Sequence, residues 1–134
     1  MTIREAIDRV DAIKPNAFTR FDKINWLNEL DGKIFEEVIK THEGAPAAHY
    51  AYTEDTDGMT ELLASAPYDD VYPAWLEAMI DLKNREIVSY NNSMAVFNAK
   101  YADFVNWYNR THMPMTERLC FFGRRGQKRA DPLS

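Results

Sequence analysis

The chain has 134 residues, 46% of them hydrophobic and 28% charged, with five Gly, six Pro and a single Cys. That is material for one domain with a sizeable core, and it excludes a multidomain enzyme, a collagen-like chain and a wholly disordered one. The formal charge of −5 hides an asymmetry: residues 1–113 hold 11 Lys and Arg against 19 Asp and Glu, a net of −8, while residues 114–134 hold 5 against 2, a net of +3. An acidic body argues against broad nucleic-acid binding, and a short basic tail is a common form of docking arm.

No run approaches the roughly 18 consecutive apolar residues of a membrane span. The opening MTIREAIDRV carries charge where a secretory leader needs an apolar core. Cys120 alone makes no internal disulfide. An intracellular assembly site is therefore expected.

Thr2-Ile-Arg-Glu5 reads as a capping box, with Thr2 covering an orphan N–H and Glu5 reaching back. Ile3, Ala6, Ile7 and Val10 then share one helical face. Lys14-Pro15 ends this helix, because the residue before proline avoids the helical region. A second helix is expected from about Thr19, with Phe21, Ile24, Leu27, Leu30, Ile34 and Val38 at three-to-four spacing. It runs through Asp31-Gly32, with something packed close against the bare backbone of Gly32, and ends at His42-Glu43-Gly44.

Residues 44–70 are the least regular. Glu54-Asp-Thr-Asp-Gly58 is turn chemistry. Residues 49–53 and 60–64 on either side of it form either a short hairpin or irregular loop. A loop of this length in a small domain is often a contact surface.

The dominant feature follows. Pro73 suits a first helical turn, and Asp69 and Asp70 suit the positive end of its dipole. Leu76, Ile80, Lys83, Ile87, Tyr90, Met94, Phe97, Tyr101, Phe104 and Tyr108 continue one stripe. If unbroken to Arg110, this helix spans roughly 55 Å, with Asn91-Asn92 as the expected kink and Met113-Pro114 as its close. Its aromatics are expected to be mostly core. Its many asparagines, poor helix formers, are either solvent-facing filler or lateral hydrogen-bonding groups. The fold class is thus all-α: a small helical bundle over residues 1–114, dominated by one long C-terminal helix, with an extended arm over 115–134.

Chemistry-bearing patterns are scarce. His42, His49 and His112 match no metal spacing and read as ordinary surface histidines. Asp55-Thr-Asp57-Gly58 resembles a calcium loop only until Thr53 and Ala64 fall where carboxylates belong. No phosphate-binding glycine loop and no GxSxG is present. Cys120 has arginines nearby but no assigned base. A non-enzymatic protein with no cofactor and no metal is expected. In the arm, Phe121, Phe122, Arg124, Arg125, Lys128 and Arg129 suit docking on an acidic protein groove or contact with nucleic acid. The bland alternative is an inert solubilising tail.

Three segments read together resemble a known family: Ile24-Asn-Trp-Leu-Asn-Glu-Leu-Asp-Gly32, Glu61-Leu-Leu-Ala-Ser-Ala-Pro-Tyr-Asp-Asp70, and Tyr90-Asn-Asn-Ser-Met-Ala-Val-Phe-Asn98 running to Trp107-Tyr-Asn-Arg-Thr-His-Met-Pro114. The pattern is similar to the head-tail connector (adaptor) proteins of tailed phages and prophages of Gram-positive hosts, and covers about residues 15–114. The resemblance implies a helical subunit in a ring, commonly twelve copies, beneath the portal in the virion neck. Such a ring extends the DNA channel and receives the next neck or tail protein. Genomic DNA passes through without specific binding. By analogy with adaptors whose terminal arm reaches the portal, Phe121, Phe122, Arg124, Arg125, Lys128 and Arg129 become the candidate portal-docking residues. The arm itself lies outside the resemblance. The alternatives are another neck component, such as a stopper or tail-completion protein, and a nucleic-acid-binding accessory protein using the basic tail.

Overall fold

The computed structural model describes residues 1–49 and 51–113, which form an all-α bundle. Its helices are α1 (Ile3–Ile13), α2 (Arg20–Glu37), α3 (Val71–Lys83) and α4 (Ile87–Thr111), with single 3-10 turns at Ile39–Thr41 and Tyr68–Asp70. The expected arm, with Phe121, Phe122, Arg124, Arg125, Lys128 and Arg129, lies outside the described residues.

Two capping boxes start the bundle. Thr2 and Glu5 satisfy each other's backbone at α1, and Thr19 and Asp22 do the same at α2. The remaining orphan donors of α1 are met from the middle loop. Ile3 N donates to Thr60 O at 3.0 Å and Arg4 N to Gly58 O at 2.9 Å. Of the two readings of the middle segment, the irregular loop is the one found. Among the described residues there is no strand, and Glu61 forms a lone antiparallel bridge with Thr2 instead. The free N–H groups of a helix start claimed the backbone that a hairpin needed.

α2 runs unbroken through Gly32, as expected, but a Cβ built there meets nothing within 4 Å. Open space, not close packing, surrounds that glycine. α2 also ends earlier than expected, at Glu37, and its chain continues into the 3-10 turn.

The single long helix is two. α3 stops at Lys83, and the chain reverses through Asn84, Arg85 and Glu86 before α4 begins. Arg85 N donates to Leu82 O and Glu86 N to Asp81 O, both at 3.0 Å, with Arg85 at φ 61°. This is a Schellman turn with arginine where glycine is usual. Asn91 and Asn92 lie within α4 and do not break it. The contacts then run in reverse along the pair: Asp81 with Ser93, Trp75 with Phe97, Asp70 with Lys100, Tyr68 with Trp107. α3 and α4 are therefore an antiparallel hairpin.

α3 is the buried axis. Val71, Tyr72, Leu76, Ala78 and Ile80 are fully shielded, and α1 and α2 pack on it as well as α4. α4 is peripheral. It buries only Phe97 and Phe104, with Tyr90, Met94, Tyr101, Trp107 and Tyr108 half-covered against the core, so its aromatics are only partly core. Ile87, 59% exposed, falls off the stripe just after the turn.

Asp81, fully buried, ties three helices together. It accepts from Lys14 Nζ, at the residue that caps the end of α1, and from Ser93 Oγ of α4, each at 2.6 Å. No helix among the described residues is long and apolar enough to cross a membrane.

Candidate functional site

Two polar constellations lie inside the bundle. The first centres on Asp31, which has no exposed surface. It falls on the apolar face of α2 set by Ile24, Leu27 and Ile34, so the helix carries it inward. Tyr72 Oη of α3 donates to Oδ1 at 2.6 Å. Tyr52 Oη donates to Oδ2 at 2.6 Å, and Leu63 N donates to the same oxygen at 3.1 Å. Ala64 N in turn donates to Tyr72 Oη at 2.6 Å. Burial pushes the Asp31 carboxyl above its usual range, while the three donors pull it back. Burial and the adjacent carboxylate raise both tyrosines, which holds them as donors. Every oxygen of the group is occupied. The cluster latches the irregular segment 52–64 to α2 and α3.

The second constellation is an aromatic pocket of about 310 Å³ between the end of α2, the segment 46–65 and the end of α4. Phe35, His49, Phe104, Trp107, Tyr108 and His112 are among its lining residues. His112 stacks on Tyr108 with ring centroids 3.8 Å apart, and Tyr68 stacks on Trp107 at 5.0 Å. His49 stands 6.0 Å from Phe35 and 5.2 Å, edge-on, from Tyr52. Its Nε2 is buried and has no hydrogen-bond partner among the described residues. Burial raises the Tyr108 hydroxyl.

His42 packs edge-on against the lining residue Tyr108, with ring centroids 4.9 Å apart. It is 4% exposed, not the surface residue expected from sequence. Nδ1 donates to Val38 O at 2.6 Å, and Nε2 lies 2.9 Å from Asn109 Oδ1. Asn109 is thus one helix asparagine with a lateral partner, whereas Asn91, Asn92 and Asn106 are exposed and Asn98 lines a groove beside α2. Compared with family models, curated proteins and solved structures, the chain matches none. The His42 and His112 rings meet edge to face with centroids 6.4 Å apart, and His49 and His112 both line the pocket. Among the described residues no group of three His, Cys, Asp or Glu is placed to hold a metal ion.

A third feature is a groove of about 390 Å³ between α2 and the α3–α4 hairpin, where Leu30, Trp75, Met94, Phe97 and Tyr101 line the walls. The Tyr101 hydroxyl, raised to about 12 by burial and by Glu37, donates to Glu37 Oε1 at 3.4 Å. The outward face of α4 carries Val88 at 76% exposure and Val96 at 51%. Sequence reasoning missed Asp31 and Asp81 as buried anchors. The available signal was a carboxylate on the apolar face of a helical stripe, at Ile24-Leu27-Asp31-Ile34 and again at Ala74-Ala78-Asp81.

Proposed function

We propose that the chain is a structural head-to-tail connector subunit of a tailed phage or prophage, assembling as a ring beneath the portal and extending the DNA channel. It acts without a cofactor and performs no catalysis. The observation that carries the reading is the mutual packing of the segments that resemble the connector family. Asp31, from the first, accepts the Leu63 amide of the second, and Tyr68 of the second stacks on Trp107 of the third. The likeness therefore follows one continuous three-dimensional unit and not scattered surface positions.

The surfaces suit the role. A head-to-tail ring needs two different side faces on each copy. The exposed face of α4, with Val88, Val96 and its asparagines, and the apolar groove beside Trp75 supply two. The body of net −8 suits a channel wall that repels DNA phosphates and lets the genome slide. The arm, with Phe121, Phe122, Arg124, Arg125, Lys128 and Arg129, docks on the portal, and the opposite end of the ring receives the next neck protein.

The test is cosedimentation with portal rings encoded in the same genome, using the full chain and a chain lacking residues 115–134. Binding by the full chain alone supports the reading. Binding by neither sinks portal docking and moves the protein further down the neck. Binding to duplex DNA that falls steeply with salt would instead support the accessory nucleic-acid reading.

A further inference from the structure

The aromatic pocket combines apolar walls with one polar ring nitrogen that makes no hydrogen bond among the described residues. Its lining includes the rings of Phe35, Trp107, Tyr108 and His112, which suit an apolar or aromatic guest. Among the described residues nothing hydrogen-bonds the buried His49 Nε2. A buried polar nitrogen is normally hydrogen-bonded, so the pocket also asks for a guest that brings a polar backbone or side-chain group. At about 310 Å³ it sits at the small end of ligand sites, which run from roughly 300 to 1,000 Å³. That is room for one or two side chains, and too little for a nucleotide-sized cofactor.

We propose that this pocket is a peptide-binding site whose occupant is the chain's own Leu119-Cys120-Phe121-Phe122. Three observations single out that segment. The chain leaves the described structure at the pocket: His112 lines it, and Met113 O accepts the Glu43 amide at 2.7 Å, which pins the exit beside it. Five residues separate Met113 from Leu119, a reach of at most roughly 20 Å. The tether therefore keeps the segment at a high effective concentration at the mouth. The charges also match. Arg118, Arg124 and Arg125 flank the apolar segment within a region of net +3, and the receiving body has a net of −8.

In this arrangement the phenyl rings of Phe121 and Phe122 lie against Trp107 and Tyr108. The segment's backbone supplies the hydrogen bond that His49 Nε2 lacks. The inference goes beyond the connector reading and stands without it. If that reading holds as well, portal docking competes with this site for Phe121 and Phe122.

Cys120 is the chain's only cysteine, so a nitroxide can be placed within the segment in the full-length protein. With indole nitrogens enriched in 15N, the Trp107 resonance is expected to broaden several-fold more than that of Trp26, and to recover when the nitroxide is reduced. Without any label, Phe121→Ala with Phe122→Ala is expected to shift the Trp107 resonance and leave that of Trp26 in place. The second measurement covers the case in which the label itself blocks the pocket. Equal broadening of the two indoles, together with an unmoved Trp107 in the double variant, would overturn the proposal. So would broadening that arises in a mixture of spin-labelled unenriched and enriched unlabelled chains, because the guest would then come from a second copy. Neither result depends on portal binding.

Discussion

Tyr72 Oη of α3 donates a 2.6 Å hydrogen bond to Asp31 Oδ1 of α2, and neither side chain has any exposed surface. The bond joins the buried axis of the bundle to the helix beside it. The same carboxylate holds Tyr52 and Leu63, so one residue organises an otherwise irregular segment.

Asp31→Ala is expected to cost at least about 2 kcal/mol, since it strands buried donors. Urea unfolding measures it. The pH dependence has a definite sign. Burial raises the folded Asp31 pKa above its ordinary value near 3.8, so its contribution is full below that value and is lost as pH rises through the folded pKa. Asp11, held low by Lys23 and Asn16 against its own burial, acts in the opposite direction. The difference between wild type and Asp31→Asn isolates the first effect. Wild-type stability relative to the variant should fall as pH rises above about 4; a flat difference would contradict the assignment.

Two backbone positions should yield stability. Arg85 holds a left-handed φ of 61° that costs an L-residue about 1 kcal/mol. Arg85→Gly is expected to recover about that amount. Gly32 lies inside α2 with open space where a Cβ would stand, so Gly32→Ala should add about 0.5–1 kcal/mol. Thermal unfolding of the two single variants and the double variant checks both, and the effects should add because the sites are independent.

The Asp81 junction should show coupling. Lys14 and Ser93 both donate to its carboxylate, and that partner raises the Lys14 pKa. Removing the carboxylate with Asp81→Ala is expected to cost about 3 kcal/mol. A double-mutant cycle of Asp81→Ala with Ser93→Ala should return a coupling of about 0.5–3 kcal/mol. A coupling near zero would mean that the Ser93 bond contributes nothing to holding α4.

Helix starts and faces were legible because they depend on neighbours a few residues apart. Thr2 with Glu5, Thr19, and the Ile24-Leu27-Ile34 face all stand where their spacing places them. The α3–α4 break was not legible. Its turn contains neither glycine nor proline, and the apolar stripe resumes in step at Tyr90 on the far side. The reversal rests on long-range partners, Lys14 and Ser93 at Asp81, which no local pattern announces. The lost hairpin has the same cause: Thr60 and Gly58 carbonyls meet donors of α1 that lie far away in sequence. The aromatic pocket was illegible for a related reason. Phe35, His49 and Trp107 are separated by long stretches of chain, and only the folded hairpin brings them together.

A chain ending at residue 114 should keep the helical spectrum and a cooperative thermal transition. His42 with Asn109, and Glu43 with Met113, already fasten the end of α4 to the end of α2. Circular dichroism checks this. Loss of the transition would place residues 115–134 inside the folding unit.

Cryo-electron microscopy of the full chain mixed with its genome's portal rings is the most direct test of the connector assignment. The account predicts a ring of this chain, twelve copies in register with a twelve-fold portal, on the tail-facing end. Density from residues 115–134 should reach the portal, and no lysine-rich or arginine-rich surface should face the channel. Bare portal rings beside free folded protein, or a ring whose lumen is lined by basic side chains, would contradict it.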